Sequence, residues 1–442
     1  MTRLSVVGLG KLGAVIAACF AERGFPVTGM DRDPDRVERV RRGEAPVAEP
    51  GLAELLSRAG DRLRATTDLR EAVAGSDVTF IVVPTPTGPD GGFQLDFVLD
   101  ALAGVGAALR DKPGPHVVVV TSTVMPGSMG GPLQRALEES SGRRCGPDLG
   151  LCYSPEFVAL GTVIRDFRSP DLVLIGESDP AAGDLLEDIY RRTCDGLPPI
   201  ARMPFVSAEV VKLAVNAFVT MKISFANLLA RVCSELPGAD VDAVTAAVAL
   251  DGRIGARYLA GSVSYGGPCF PRDNVALAAL ARSLGVPAGL PEATDAFNRQ
   301  QRRDLVKAVV ARIPAGGVVG VLGLTYKPST DVVDEALGLE VLRELACRTV
   351  PALGYDPAGM DNARRHLGPG VRLATSAAEC VRQADVVVLA TAWPQFRQLP
   401  PDVWLSGPRA TPRVLIDCWR ALPELRELDG LRYVAVGIGP RD

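Results

Sequence analysis

Gly8-Leu9-Gly10-Lys11-Leu12-Gly13 stands directly behind an apolar run, Leu4-Ser5-Val6-Val7, and opens a helical pattern from Lys11 onward. Few folds accommodate that order. Gly8 permits a tight turn off a strand, Gly10 lets backbone approach a pyrophosphate, and Gly13 allows a helix to pack closely on the strand. The helix N-terminus then faces the phosphates. Asp31 lies eighteen residues after Gly13, at the end of a second apolar run. A carboxylate there accepts hydrogen bonds from a ribose diol and repels a 2′-phosphate, so NAD is expected over NADP. Arg32 and Arg36 soften that preference. The expected cofactor contacts are Gly8, Gly10, Lys11, Leu12, Gly13, Asp31 and Arg36.

Further runs around 78–83, 117–120 and 172–175 are almost continuous Val, Ile and Leu, as in parallel strands covered on both faces. With helical patterns between them they predict a doubly wound α/β domain over 1–203. From 204 to 303 strand runs vanish. Val206, Val210, Leu213, Ala217 and Met221 recur at helical steps, predicting a helix of about 30 residues and about 45 Å. Strand runs return at 318–322, 350–355, 386–389 and 414–416, predicting a second Rossmann-like domain over 304–442. The fold class is therefore α/β, two doubly wound domains joined by a central helical one. In the second, the turn Gly320-Val321-Leu322-Gly323-Leu324-Thr325-Tyr326-Lys327 lacks the third glycine. It is expected to hold a different phosphate-bearing ligand.

The 442 residues carry 48 Lys plus Arg and 52 Asp plus Glu, a net charge of -4, which disfavours nucleic acid and acidic membranes as partners. No uninterrupted apolar run approaches bilayer length, so no membrane span is expected. The strand-like run at Leu4 leads to the expectation of no cleaved leader. Nine cysteines, irregularly spaced and without C-x-x-C, argue against structural zinc and a disulfide framework. They fit a reducing, cytoplasmic compartment, and no metal site is expected. The two histidines, His116 and His366, are read as structural or surface residues.

One cysteine differs from the rest. Tyr265-Gly266-Gly267-Pro268-Cys269-Phe270-Pro271-Arg272-Asp273 sets a thiol between a glycine turn and an Arg-Asp pair, with a helical pattern starting near Asn274. A helix N-terminus and an adjacent cation both stabilise a thiolate. Lys212 and Asn216 lie four apart and share a helix face. Ser154-Pro155-Glu156-Phe157 follows a strand run and presents a carboxylate beside an aromatic ring.

Taken together these motifs resemble the nucleotide-sugar dehydrogenases related to UDP-glucose 6-dehydrogenase, over nearly the whole chain. The others that carry the resemblance are Val83-Pro84-Thr85-Pro86-Thr87, Ser122-Thr123-Val124, Tyr326-Lys327 with Thr330-Asp331, and Asp417-Cys418-Trp419-Arg420. The resemblance implies oxidation of the C6 alcohol of a nucleotide-hexose, UDP-glucose foremost, to the carboxylate with two NAD. dTDP-glucose and GDP-mannose are alternatives. It implies Cys269 as nucleophile through a thiohemiacetal and thioester, Lys212 and Asn216 as oxyanion donors, and Asp273 as a proton-transfer partner. Glu156 would serve thioester hydrolysis, with Thr123 positioning water. Thr85, Thr87, Ser122 and Thr123 would line the cofactor. Phe157, Leu160, Tyr258, Tyr265, Gly266, Phe270, Tyr326, Lys327 and Arg420 would line the substrate, with Arg253 reaching a partner subunit's sugar site. It further implies a homodimer built on the central helix.

Three residues depart from the family pattern. Leu160 stands where a second glutamate is common, Arg272 where lysine is usual, and Asp334 where an arginine precedes Glu-Ser. Slower thioester hydrolysis and a weaker phosphate clamp are the expected consequences. A single-step 3-hydroxyacid dehydrogenase also pairs a dinucleotide domain with helices, but it needs neither Cys269 nor a third domain. A catalytically dead NAD-binding protein is the non-enzyme rival.

Overall fold

The computed structural model describes residues 1–368, 370–407 and 412–440. The chain forms two compact units, Met1–Ala214 and Val215–Asp442.

The first unit is built on eight strands: β1 (Leu4–Val7), β2 (Val27–Met30), β3 (Leu63–Thr66), β4 (Val78–Ile81), β5 (His116–Val120), β6 (Leu149–Tyr153), β7 (Val173–Glu177) and β8 (Ile200–Met203). Their order is β3-β2-β1-β4-β5-β6-β7-β8, so the chain reverses direction across the sheet at β1 and β4. Leu4 pairs with Val27 on one side and Val78 on the other. The sheet is parallel except where β7 meets β6 antiparallel. A single antiparallel pair on an otherwise parallel sheet is common in doubly wound folds. Helix Gly13–Glu22 is buried along almost its whole length. Its Phe20 ring lies 4.8 Å from Phe80 and 5.6 Å from Phe167, tying helix to sheet.

The second unit holds β9 (Val319–Leu322), β10 (Ala352–Tyr355), β11 (Arg372–Leu373), β12 (Val386–Leu389), β13 (Arg413–Asp417) and β14 (Leu431–Ala435). Their order, β11-β10-β9-β12-β13-β14, repeats the reversal at the first strand, and all pairs are parallel. Ligands of such sheets bind at the carboxyl ends of the strands flanking that reversal.

The long helix runs over Phe205–Glu235. It is the one described helix long and apolar enough, by length and composition, to cross a membrane. Its apolarity has another source. One stripe is buried, and a second stripe of Val206, Val210, Phe218, Phe225, Leu228 and Val232 is exposed. Between the apolar side chains the buried stripe carries Glu209, Lys212, Asn216, Thr220 and Asn227. Several helices start as side-chain chemistry dictates. Asp33, Asp68, Asp179 and Asp240 each accept a backbone N–H of the first turn.

Candidate active site

At the end of β1, Gly8 has φ +101°, and an added Cβ would lie 2.3 Å from the Val82 carbonyl oxygen. A Cβ on Gly13 would lie 1.8 Å from the Gly8 oxygen, so only glycine lets the helix sit on the turn. A Cβ on Gly10 would meet nothing within 4 Å, which leaves open space over the turn for a phosphate. Asp31, directly after β2, accepts N–H bonds from Leu9 at 2.7 Å and from Asp33 at 2.9 Å. Arg36 lies 3.4 Å from the same carboxylate. Lys11 and Leu12 are half-buried beside the turn. These residues fit an adenine dinucleotide: an open glycine turn, a helix N-terminus, and a carboxylate at the ribose position. Ser122 accepts the Val83 N–H at 3.0 Å and donates to the Val83 carbonyl at 2.7 Å, stitching the loop after β5 to the loop after β4. Thr85 is buried, Thr87 exposed, and Thr123 half-buried in those loops.

Glu156 follows β6. Its carboxylate accepts a hydrogen bond from Tyr190 at 2.9 Å, and Lys212 donates to its backbone carbonyl at 2.8 Å. The Lys212 ammonium also lies 4.6 Å above the Phe157 ring. Burial pushes the Glu156 carboxyl up to about 7, against the pull of Tyr190 and Lys212. Leu160 packs on the core of this unit.

In the second unit Cys269 is exposed at the N-cap of helix Phe270–Ser283. The helix thus starts four residues earlier than expected, and the thiol stands directly at its positive end. Asp273, fully buried in the first turn, accepts from Asn216 at 2.6 Å and from Arg272 at 3.0 Å. Arg272 is therefore committed to Asp273. The loop before Cys269 is moulded by the stretch after β9. Gly267 N–H donates to the Asp334 carbonyl at 3.0 Å, and a Cβ on Gly266 would lie 2.2 Å from the Glu335 oxygen. A Cβ on Gly267 would lie 2.8 Å from the Tyr326 ring. Tyr265 is held through its backbone by Asn298, and Tyr258 packs edge-on against Phe270. Lys327 lies 5.7 Å from the Tyr326 ring centre.

Two expected substrate residues stand apart from this group. Arg253 is exposed and pairs with Asp251 of its own loop. Arg420 is half-buried at φ +55° and donates to Asp242, Val436 and Gly261. Its guanidinium ties the carboxyl end of β13 to helix Val241–Ala249.

The third glycine, absent from the turn as read in sequence, is present in space. A Cβ on Gly338 would lie 1.9 Å from the Gly323 oxygen, as Gly13 stands to Gly8. Asp356, at the end of β10, accepts the Leu324 N–H at 2.7 Å, as Asp31 accepts that of Leu9. The fingerprint does recur, opened by an insertion over 324–337. Spacing alone concealed it. The acid after the second apolar run was the available signal.

A dinucleotide fold with its phosphate turn and ribose acid in place, in a chain that also presents a thiol at a helix N-terminus, defines an NAD-dependent dehydrogenase. The chain belongs to the UDP-glucose/GDP-mannose dehydrogenase family. It matches that family's NAD binding domain over residues 2–194, its central domain over 206–300 and its UDP binding domain over 320–424. A UDP-glucose 6-dehydrogenase of Haloferax volcanii is 37% identical over 430 residues, 96% of this chain and 98% of that protein. A GDP-mannose 6-dehydrogenase of Azotobacter vinelandii is 33% identical, covering 91% and 94%. The solved UDP-glucose dehydrogenase of Pyrobaculum islandicum superposes with a TM-score of 0.89 at 37% identity, covering 99% and 98%.

Proposed function

We propose that the protein oxidises the C6 alcohol of UDP-glucose to the carboxylate, reducing two NAD per sugar, with Cys269 as covalent nucleophile. The observation that carries this reading is the exposed Cys269 thiol at a helix N-terminus, one turn from the buried Asp273–Asn216 pair. Bound NAD supplies a hydride acceptor, held by the glycine turn and Asp31. The thiol's part follows from the chemistry of a second oxidation. An aldehyde must become a hydride donor without leaving, and addition of Sγ to its carbonyl carbon does that by giving a thiohemiacetal, which would become a thioester on loss of its C6 hydride to the second NAD and of its hydroxyl proton. Lys212 and Asn216 supply N–H donors for the oxyanion. Asp273 and Lys212 move the hydroxyl proton. Glu156 takes a proton from the water that cleaves the thioester, with Thr123 orienting that water.

UDP-glucose is favoured because the Haloferax and Pyrobaculum relatives carry that substrate in their names at the higher identity. The nucleotide would lie at the opened turn after β9, near Tyr326 and Lys327. The segments 1–203, 204–303 and 304–442 are read as cofactor, central and nucleotide-sugar domains. The exposed apolar stripe of Phe205–Glu235 is read as the face covered by a second copy, and the location as cytoplasmic.

NADH yield and product mass across UDP-glucose, dTDP-glucose and GDP-mannose test this directly. Two NADH per UDP-glucose with a uronate product is the expected result. One NADH with an aldehyde product overturns it.

A further inference from the structure

The groups around Glu156 extend one residue beyond those the reaction scheme uses. Tyr190 lies on helix Pro180–Thr193, is 2% exposed, and reaches Glu156 Oε1 with its hydroxyl at 2.9 Å. The same hydroxyl is 2.9 Å from Ser154 Oγ, which is 1% exposed. Burial and the nearby Glu156 charge keep the Tyr190 hydroxyl well above its ordinary titration range, so it remains protonated. Its proton therefore goes to the carboxylate, and Ser154 donates to the phenol oxygen. The ring is fixed as well, 6.2 Å from Phe167. Lys212, the other polar neighbour, bonds to the Glu156 backbone carbonyl rather than to its carboxylate.

We propose that Tyr190 is the positioning residue for Glu156, pinning Oε1 so that Oε2 takes the proton of the water that cleaves the thioester. This rests on the reading of Glu156 as the base of that step. In the step one water is consumed. Its oxygen bonds to the acyl carbon and its proton passes to Oε2. The carbon–sulfur bond breaks with its electron pair on Sγ, and the sulfur is reprotonated. No electrons are transferred.

A hydrogen bond to a carboxylate favours its charged form, whereas burial disfavours it. Tyr190 therefore holds Glu156 in the basic form against the burial that raises it to about 7. The other groups bearing on Glu156 are Lys212 from the long helix, Cys19 from Gly13–Glu22 and Cys194 beyond Pro180–Thr193. Burial raises both thiols to about 12, so neither carries charge at neutral pH. Lys212 lowers Glu156, as Tyr190 does.

The test is Tyr190→Phe, which keeps the ring, with Ser154→Ala as a second variant should the first fail to fold. Expected for Tyr190→Phe is an ascending limb of kcat against pH moved about one unit alkaline. Several-fold more acyl adduct on Cys269 by intact-protein mass spectrometry accompanies it, at unchanged KM for NAD and nucleotide-sugar. Ser154→Ala moves the limb the same way by less. A Tyr190→Phe enzyme whose limb and adduct level match wild type overturns the proposal, as does activity that falls only in step with thermal stability. Glu156→Gln separates the two levels. If it hydrolyses the adduct at the wild-type rate, the reading of Glu156 fails. If it accumulates adduct while Tyr190→Phe behaves as wild type, the Tyr190 proposal alone fails.

Discussion

Asp31 and Asp356 hold the same place in two folds and differ in what surrounds them. Asp31 accepts two backbone N–H groups and has Arg36 alongside, which leaves acceptor capacity for a ribose diol. Asp356 is 1% exposed and accepts from Leu324, Ala358 and Gly359 N–H, the Thr325 N–H and hydroxyl, and the Trp393 indole. That carboxylate is saturated. Substitution should therefore read out differently at the two positions. With Asp31 intact, kcat/KM for NADP should fall below that for NAD by about tenfold or more, at roughly 1.4 kcal/mol per decade. Asp31→Asn should narrow the gap by weakening NAD use. Asp356→Asn should leave the cofactor ratio alone and cost about 3 kcal/mol of stability in urea titration, because it orphans buried donors. Equal use of the two cofactors by wild type would sink the first expectation. At Cys269 the prediction is sharper. Cys269→Ala should abolish uronate formation, and normal yields of acid would remove the covalent mechanism.

The glycine pairs and the long helix show how much of the site an element carries. Gly8, Gly13 and the Cys269 loop were legible because each chemical demand falls on neighbouring residues, and Asp31 because it ends the second apolar run. The second fingerprint was not, since fifteen positions separate Gly323 from Gly338 and the insertion hides the period. Strands β3 and β8 were not legible for a related reason. Their sequences include Arg64 and Arg202, which break the continuous apolar runs that mark central strands. Gly13→Ala and Gly338→Ala should both force a helix off its turn by the 1.8 and 1.9 Å approaches. The first should remove thermal stabilisation by NAD, the second that by UDP, in melting curves with each ligand. Survival of both shifts would show that neither turn holds its ligand. Along Phe205–Glu235, helical spacing revealed the helix but not the separate loops its polar stripe fastens. Glu209 takes N–H bonds from Gly127 and Met129, Lys212 bonds to Glu156, Asn216 to Asp273, and Asn227 to Ser262. On the opposite stripe Phe218 and Phe225 are 62% and 50% exposed. Phe218→Glu with Phe225→Glu should convert a dimer to monomer in sedimentation velocity, and an unchanged mass would refute that face as the interface.

For the molecule as a whole, a polar network around His116 is expected to contribute to acid stability. His116 opens β5, an interior strand, at 1% exposure, at the amino end of the strands and so opposite the glycine turn. Its Nε2 lies 2.8 Å from Thr79 Oγ1, which lies 2.8 Å from Ser5 Oγ, which lies 2.9 Å from Ser76 Oγ. Its Nδ1 lies 2.9 Å from the Lys112 ammonium, which also bonds to the Val73 and Ser76 carbonyls. A lysine donor fixes Nδ1 as acceptor, so the ring is neutral with its proton on Nε2. Burial first, and then the Lys112 charge, depress the imidazole from 6.5 to about 3. In the unfolded chain it titrates near its ordinary value. Between about pH 6.5 and about 3 the unfolded state therefore binds a proton that the folded state refuses. Stability from this residue is complete above the unfolded pKa and is lost as pH falls through that window, by up to about 1.4 kcal/mol per pH unit. Lys112 is lowered from 10.5 to about 8, again chiefly by burial, so its own dependence lies in the alkaline range and does not overlap. His116→Gln keeps a neutral side chain with a donor and an acceptor and cannot take up the proton. It should cost stability at pH 7 through imperfect geometry, yet flatten the decline in urea midpoint between pH 6.5 and 4.5 relative to wild type. Parallel declines in the two proteins would mean that carboxylates alone set acid stability and that the buried imidazole is protonated without cost.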